Sequence, residues 1–201
     1  MTPKVVTLAM TGASGAAYTL RLIECLLDAG IHLQFVTSQP GQIVMGMETS
    51  LKLTGSTQKM RQTLADHFDA DPESIDVYSR DQWTAPPASG SSVADAMVVC
   101  PCSMGSLASI AVGSSENLIH RAADVIIKEH KRLILVPREM PFSVIHLENM
   151  LKLARLGVII LPPNPGFYHG VSDVSELIDF IVARILDQLG IDNDLSPRWG
   201  N

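Results

Sequence analysis

The chain has 201 residues, of which 46% are hydrophobic and 18% charged, and its formal net charge is −6 at pH 7. This length and apolar content predict a globular protein with a sizeable core and argue against a disordered chain. The acidic balance excludes a basic nucleic-acid footprint and a polybasic membrane anchor. The start lacks a signal peptide, and no apolar run reaches the roughly 18 residues of a membrane helix, so we expect a cytoplasmic protein.

The first half of the chain alternates between predicted strands and helices. Val5–Met10 is a short apolar run that stops at a glycine-rich turn, which predicts a buried strand. Ala16–Ala29 carries its leucines at helical spacing and ends before Gly30, a typical C-terminal cap. Ile31–Thr37 is predicted as the second strand and Ser56–His67 as a helix, while the intervening middle of the chain is less regular.

The second half continues the alternation after a polar segment, residues 79–92, which is rich in Pro, Gly and Ser. Loops of that length usually bind something or are disordered. The remaining predicted elements are strands at Ala96–Cys100, Leu133–Val136 and Val158–Leu161, and helices from about Ser103, at Asn117–His130, at Ser143–Leu156 and at Val174–Leu189.

This alternation predicts an α/β fold with three α/β/α layers and a mostly parallel, Rossmann-like sheet. The strands are continuous apolar runs, as expected when helices cover both faces of the sheet. We expect one domain over residues 1–201, with an extended C-terminal tail from about residue 191. In such sheets, ligands bind beyond the carboxyl ends of the strands.

The turn after the first strand, Thr11–Ala16, has two glycines and therefore falls short of the dinucleotide-binding fingerprint. The acidic residue that would bind the ribose of NAD is also absent after the second strand, where the chain reads Val36–Gln39. A turn that opens a helix presents free N–H groups to an anion, and Ser14 and Ser38 add hydroxyl donors. This pattern favours a mononucleotide such as FMN, although a glycine turn with a serine cap would look the same.

A second turn of small and hydroxyl residues, Ser103–Ser106, follows a later strand and favours a flat polar ligand across the sheet edge. Basic residues and their neighbours stand at several strand ends and on two helices. Each alone fits a solvated charge, but together in an acidic chain they point to a phosphate site. These residues are Arg121, Lys128, Arg138 with Glu139, Tyr168 and Arg184.

Four longer stretches carry a family resemblance, namely Asn117–Val125, Leu135–Phe142, Ile145–Met150, and Ile160–Pro163 with Phe167–His169. With them the chain resembles the flavin prenyltransferases of the UbiX/Pad group, flavodoxin-like FMN-binding proteins. The resemblance implies an enzyme that joins a dimethylallyl group from dimethylallyl monophosphate to reduced FMN. The product, prenylated FMN, would serve a UbiD-type decarboxylase, often in ubiquinone biosynthesis. The family also implies a homo-oligomer, typically a dodecamer, with sites at subunit junctions.

The same resemblance implies roles for individual residues. It assigns FMN binding to Gly12, Ala13, Ser14, Ser38, Ser103, Met104, Gly105, Ser106 and Arg138. It assigns the substrate phosphate to Lys128, Glu139, Tyr168 and Arg184. It assigns catalysis to Glu139, Ser14, Trp83, Arg121 and Glu48, with Trp83 over the prenyl group. Breaking the allylic C–O bond develops negative charge on phosphate and positive charge on carbon, which fixed cations and an aromatic face stabilise respectively.

The sequence offers little for a metal ion, because neither a DDxxD nor an H-E-x-x-H pattern occurs. We therefore expect a metal-independent enzyme, with His120, His146 and His169 in capping or core-edge positions. Cys100 and Cys102 are one residue short of a redox C-x-x-C motif and are interpreted as structural.

Three alternative functions remain. One is an FMN-dependent decarboxylase of the same fold, although its P-x-M-N-x-x-M-W type motif is absent. A second is a direct aromatic-acid decarboxylase, which would release CO₂ without a partner. A third is a non-catalytic flavin carrier, which would have no use for the basic residues. The C-terminal tail with Trp199 would either cover a neighbouring subunit's site or fray.

Overall fold

The computed structural model describes residues 2–168, 170–198 and 200, so the predictions for His169 and Trp199 lie outside the described residues. The strands are β1 (Val5–Met10), β2 (His32–Thr37), β3 (Ile75–Tyr78), β4 (Ala96–Cys102), β5 (Arg132–Pro137) and β6 (Ile159–Ile160). The helices are α1 (Ala16–Asp28), α2 (Gln39–Glu48), α3 (Thr57–Phe68), α4 (Met104–Ala111), α5 (Leu118–Lys128), α6 (Val144–Arg155) and α7 (Val174–Leu189).

The strands form one parallel sheet in the order β3-β2-β1-β4-β5-β6. Helices α1, α2, α3 and α7 pack on one face, and α4, α5 and α6 pack on the other. Every residue of β4 is buried. The continuous apolar runs in the sequence predicted such burial, because helices cover both faces of the sheet. The predicted three-layer α/β fold with a parallel sheet is thus confirmed.

The strand order reverses between β1 and β4, and this position fixes where a ligand can bind. From β1 the chain continues toward β2 and β3, whereas β4 continues toward β5 and β6 on the other side. The connections that leave these two neighbouring strands therefore diverge and open a crevice at their carboxyl ends. The turns Thr11–Gly15 and Ser103–Ser106 lie at this crevice, as expected from the sequence.

Two elements were not predicted, α2 and β3. The Pro and Gly at the start of α2 read as a turn, but Pro40 lies in the first helical turn, where its missing N–H costs nothing. Gly41 is needed there because a Cβ at this position would lie 2.8 Å from the carbonyl oxygen of Met10. β3 has only four residues, which alternate between buried and half-buried at the edge of the sheet, so its apolar signal is weak.

The polar segment 79–92 replaces a crossover helix between β3 and β4 and lies along α5. It contains two short 3₁₀ turns, Pro86–Ala88 and Gly90–Ser92. The N–H of Leu118 donates to the carbonyl of Arg80 at 2.6 Å, and Arg121 Nε donates to the carbonyl of Ala88 at 3.1 Å. The segment is therefore ordered against α5.

None of the described helices is long and apolar enough to cross a membrane.

Cys100 and Cys102 are free, fully buried thiols at the end of β4. Burial raises the pKa of Cys102 to about 12 and that of Cys100 further still, which agrees with a structural role.

Candidate active site

Thr11 joins the two turns at the crevice between β1 and β4. Its hydroxyl donates to the carbonyl of Pro101 at 2.9 Å and accepts from the N–H of Ser103 at 2.7 Å. Its own N–H donates to the same Pro101 carbonyl at 3.2 Å. Thr11 is buried, so these bonds fix the two turns relative to each other. The sequence analysis included Thr11 in a motif but did not identify it as a site residue.

The first turn of α4 offers an open N-terminus at this crevice. The Ser103 hydroxyl caps the helix by accepting from the N–H of Ser106 at 3.3 Å. Among the described residues, the N–H groups of Met104 and Gly105 have no hydrogen-bond partner. A Cβ on Gly105 would meet nothing within 4 Å, so the surface above it is open. This arrangement suits a phosphate or another anionic group.

The N-terminus of α1, in contrast, is already occupied by a side chain from α2. Glu48 Oε2 accepts from the N–H groups of Gly15 and Ala16, both at 2.9 Å. The sequence analysis expected these N–H groups to be free for an anion, and the structure corrects that expectation. The turn before α1 contributes the Ser14 hydroxyl and the backbone of the turn to the crevice. The positive N-terminal end of α1 interacts with the Glu48 carboxylate.

The environment of Glu48 favours its ionised form. Partial burial alone would raise the pKa of Glu48, but hydrogen bonds from Ser14 and from two backbone N–H groups outweigh it. The positive charge of Arg138 acts in the same direction, so the pKa of Glu48 lies below its ordinary value. Ser14, Glu48 and Arg138 therefore form one electrostatic group at the crevice.

We expect Glu48→Gln to lower the free energy of unfolding at pH 7 by about 1 kcal/mol, the usual contribution of a helix cap. Because folding depresses the pKa of Glu48, its contribution is complete above the unfolded value of about 4.3. It is lost as pH falls through the lower folded pKa, so the difference from wild type should shrink below about pH 4. Urea unfolding at several pH values measures this difference. Asp66→Asn is the control, since that carboxylate accepts from Gln62 within α3, and an equal pH dependence in both variants would contradict the assignment.

The turns after β1 and β2 are packed tightly against each other. Ser38 caps α2 by accepting from the N–H of Gly41 at 3.1 Å. A Cβ on Gly12 would clash with Cβ of Pro40, so the β1 turn approaches α2 as closely as only a glycine allows. Ala13 beside it is 4% exposed. The predicted FMN-binding residues of these two turns therefore share one rigid wall.

We expect Gly12→Ala to destabilise the fold by about 1–3 kcal/mol, the cost of overpacking, and to weaken FMN binding because the wall must shift. Gly46→Ala is the matched control. Gly46 lies in α2, the helix that carries Pro40, and its Cβ would meet nothing within 4 Å. It should instead stabilise the protein by about 0.5–1 kcal/mol. Urea unfolding and an FMN titration measure both effects. Equal behaviour of the two variants would show that the contact with Pro40 is unimportant.

Arg138 and Glu139 directly follow β5 and line a cavity of about 390 Å³ with Pro162. The Arg138 N–H donates to the carbonyl of Cys102 at 3.3 Å, which ties the end of β5 to the end of β4. The Glu139 carboxylate accepts from the N–H of Met140 at 3.2 Å and is exposed to solvent. The backbone of Arg138 thus lies beside the end of β4, which leads into α4.

Arg121 and Lys128 lie on α5 beside the polar segment. Arg121 pairs with Asp124 at 2.9 Å, and Lys128 pairs with Glu129. A Cβ on Gly90 would lie 2.9 Å from Lys128 Nζ, so the segment passes directly over this lysine. Ser89 follows the residue whose carbonyl Arg121 binds, and its hydroxyl lies 3.0 Å from that of Ser91.

Tyr168, in the loop after β6, and Arg184, on α7, lie together at a third place. They line a cavity of about 280 Å³, and the Tyr168 ring packs edge-on against Phe180 with 6.3 Å between centroids. Arg184 pairs with Asp187 at 2.6 Å. Tyr168 and Arg184, both predicted to bind the substrate phosphate, thus line the same cavity.

The residues predicted to bind the substrate phosphate do not all meet within one chain. Lys128 ends α5 just before β5 begins, whereas Glu139 follows the end of β5. The six residues of β5 separate them by roughly 20 Å. Arg184 is on α7, across the sheet from α5. Within one chain these residues cannot bind the same phosphate.

Trp83 lies in a turn of the polar segment, and its side chain is 49% exposed. An exposed indole on an ordered backbone is available to cover a ligand.

Among the described residues, no three His, Cys, Asp or Glu side chains converge where a metal ion could be held. His146 completes a capping box with Ser143 at the start of α6, which confirms its predicted capping role.

A model of the flavoprotein family matches residues 1–186 of the chain. The flavin prenyltransferase UbiX of Pseudomonas aeruginosa is 54% identical over 198 residues, which cover 98% of this chain and 95% of that protein.

Two solved structures are similar over almost the whole chain. One is AnUbiX in complex with FMN and dimethylallyl pyrophosphate, with a TM-score of 0.87, 36% identity and 98% coverage of both chains. The other is a dodecameric FMN-dependent UbiX-like decarboxylase from Escherichia coli O157:H7, with a TM-score of 0.86 and 36% identity. That match covers 98% of this chain and 100% of the other.

Proposed function

The chain belongs to the flavoprotein family and, within it, to the UbiX flavin prenyltransferases, and on that premise we propose that it transfers a dimethylallyl group to reduced FMN. The donor is dimethylallyl monophosphate, and the product is prenylated FMN. The observation that carries the proposal is the open N-terminus of α4 at the end of β4, which the Arg138 N–H ties to the end of β5, just before Glu139. This edge offers both an anion-binding turn and an acid–base residue.

FMN fits the crevice between β1 and β4. The N–H groups of Met104 and Gly105 and the hydroxyls around them would hold its polar groups, and the β1 and β2 turns would form the opposite wall. Arg138, whose positive charge acts on Glu48, adds a guanidinium at the same crevice. When bound, reduced FMN supplies the nucleophilic ring to which the dimethylallyl group becomes attached.

Departure of phosphate from the dimethylallyl carbon is the step that the charged residues serve. The C–O bond breaks with its electron pair on oxygen, so Lys128 and Arg184 stabilise the developing negative charge. Tyr168 orients the phosphate through its phenol, and Arg121 lies near Lys128 on α5. Glu139 donates a proton to the leaving phosphate oxygen.

Positive charge develops on the allylic carbon during the same step. The face of Trp83 stabilises it by about 0.5–2 kcal/mol, the ordinary scale of a cation–π contact. Ser14 and the ionised Glu48 form a hydrogen-bonded pair at the crevice, so Glu48 would accept, through the Ser14 hydroxyl, the proton that the flavin ring loses when the dimethylallyl group is attached. No metal ion is needed in this scheme, since side-chain cations hold the phosphate.

The separation between Lys128 and Glu139 leads us to propose that neighbouring copies complete each site. Helix α6 supports assembly because Leu153 is its only fully buried residue among those described. Its apolar side chains Val144, Ile145 and Leu147 are 69%, 67% and 52% exposed. Exposed apolar patches of this kind mark protein interfaces. We therefore propose a homo-oligomer, a dodecamer as in the structure from E. coli.

The product defines the place of the enzyme in metabolism. Prenylated FMN is passed to a UbiD-type decarboxylase, and in this proposal the pair serves ubiquinone biosynthesis in the cytoplasm. The absence of a P-x-M-N-x-x-M-W type motif disfavours a cysteine-type decarboxylase of the same fold.

The test mixes purified protein anaerobically with reduced FMN and dimethylallyl monophosphate in the presence of EDTA, followed by mass spectrometry of the flavin. We expect a flavin that is heavier by one C5 unit. A parallel reaction with dimethylallyl diphosphate reports on the phosphate requirement. Unmodified flavin bound to folded protein would contradict the proposal, and CO₂ release from an aromatic acid would then separate a decarboxylase from a flavin carrier.

A further inference from the structure

The C-terminal segment, defined here as residues 191–198, forms one wall of the cavity around Tyr168 and Arg184. Ser196, Pro197 and Arg198 line this cavity of about 280 Å³. The segment lacks regular secondary structure, so side-chain contacts must hold it in place. Nothing in the sequence pattern identified Arg198 as a candidate for the site.

Asp187 is the residue that attaches the segment to α7. Its two carboxylate oxygens accept from Arg198 Nη1 at 2.7 and 2.8 Å, and Arg198 Nη2 donates to the carbonyl of Asn193 at 3.2 Å. Asn193 Nδ2 also donates to Asp187, at 3.2 Å. The Asp187 side chain is 16% exposed, so these bonds are shielded from water.

The same carboxylate holds Arg184, whose Nη1 donates to Asp187 Oδ2 at 2.6 Å. Asp187 therefore brings two guanidinium groups to one cavity, and the three charges sum to +1. The Arg184 and Arg198 side chains stay 52% and 46% exposed, and each guanidinium has five N–H donors in total. Donors thus remain for an anion after both bind Asp187.

Ser196 contributes a further polar group beside this charge. Its Oγ atom is buried and has no hydrogen-bond partner among the described residues. Buried polar atoms are normally satisfied, so this hydroxyl is an unpartnered polar group in the wall that also carries the two guanidinium groups.

We infer that Arg198 is a second phosphate-binding guanidinium beside Arg184, and that Asp187 is the positioning residue that holds both of them. This inference rests on the proposed function, because it concerns the phosphate of the prenyl donor. It adds the C-terminal segment to the binding site. An Arg pair suits a dianionic monophosphate, since planar guanidinium groups bind phosphate oxygens in a bidentate manner.

The first test compares Arg198→Gln with wild type in the prenyl-transfer assay. Loss of a charge-assisted hydrogen bond should raise KM for dimethylallyl monophosphate by about 10- to 100-fold, with kcat changed much less. Arg61→Gln is the matched control, because Arg61 also binds one carboxylate and one backbone carbonyl, at 2.6 Å each, but lies on α3. Arg198→Lys keeps the charge and should give a smaller rise. It also replaces Arg198→Gln if that variant does not fold.

The second test follows hydrogen exchange of residues 191–198 with inorganic phosphate as the probe. In wild type, phosphate should slow exchange in this segment. In Asp187→Asn, the segment should exchange faster and phosphate should protect it less, because the two guanidinium groups are no longer held together. A wild-type KM in Arg198→Gln would overturn the inference, as would exchange that phosphate does not change. If wild type makes no prenylated flavin, the proposed function fails, while phosphate protection still decides on the Arg pair.

Discussion

Replacement of Glu139 by glutamine is expected to slow prenyl transfer by about 100-fold or more while leaving FMN binding intact. Glu139 follows β5 directly and is exposed at the edge where the donor phosphate would lie. Glutamine keeps the size and one hydrogen-bonding oxygen but has no proton to give to the leaving phosphate. Removal of a general acid usually costs 10²–10⁴ in rate. Single-turnover formation of prenylated FMN and an FMN titration measure the two effects separately.

Glu73→Gln is a suitable control for this experiment, because its carboxylate is 85% exposed and pairs with Arg61, away from the crevice. Turnover of Glu139→Gln within a few-fold of this control would remove Glu139 from its proposed role. Loss of bound flavin would instead mean that Glu139 supports the FMN wall.

Two inactive variants are expected to restore each other when they assemble together. Lys128→Ala and Glu139→Gln should each abolish most activity alone, since one lacks a phosphate cation and the other the acid. If Lys128 and Glu139 of one site come from different copies, random assembly of equal amounts leaves about a quarter of the sites intact. Co-expression should therefore recover about a quarter of the wild-type rate, far above either single variant.

The distance along β5 makes this result decisive. A site built from one chain would always lack one of the two residues, so co-expression would give no recovery. As a control, the two variants are purified separately, mixed, and assayed before their subunits can exchange. This mixture should stay inactive. Size-exclusion chromatography with light scattering should show the same oligomer in all preparations.

The sequence predicted the fold well because the buried strands are continuous apolar runs with clear turns between them. β1 and α7 were predicted with the observed bounds, since apolar periodicity and capping residues agree there. β3 was missed because an edge strand of four residues needs few apolar side chains. α2 was missed because Pro40 and Gly41 signal a turn locally, and only the tertiary approach of Met10 explains the glycine.

The candidate site was less predictable, because its arrangement depends on which strand ends and helix ends lie next to each other in the folded chain. Sequence order could not show that Glu48 reaches back to the α1 N-terminus, a contact across 33 residues. Nor could it show that Lys128 and Glu139, which stand close in sequence, lie at opposite ends of β5. The hydroxyl and glycine turns were easier to identify, because a helix start at a strand end requires those residue types.

The burial of Cys100 and Cys102 protects both thiols from alkylation by an allylic donor. An allylic phosphate that ionises is an alkylating agent, and a thiolate is the protein nucleophile most readily alkylated. Cys102 immediately precedes the α4 turn, yet its sulfur is fully buried and burial raises its pKa to about 12. Both thiols thus stay protonated and out of reach, and we expect neither to be alkylated by the proposed donor.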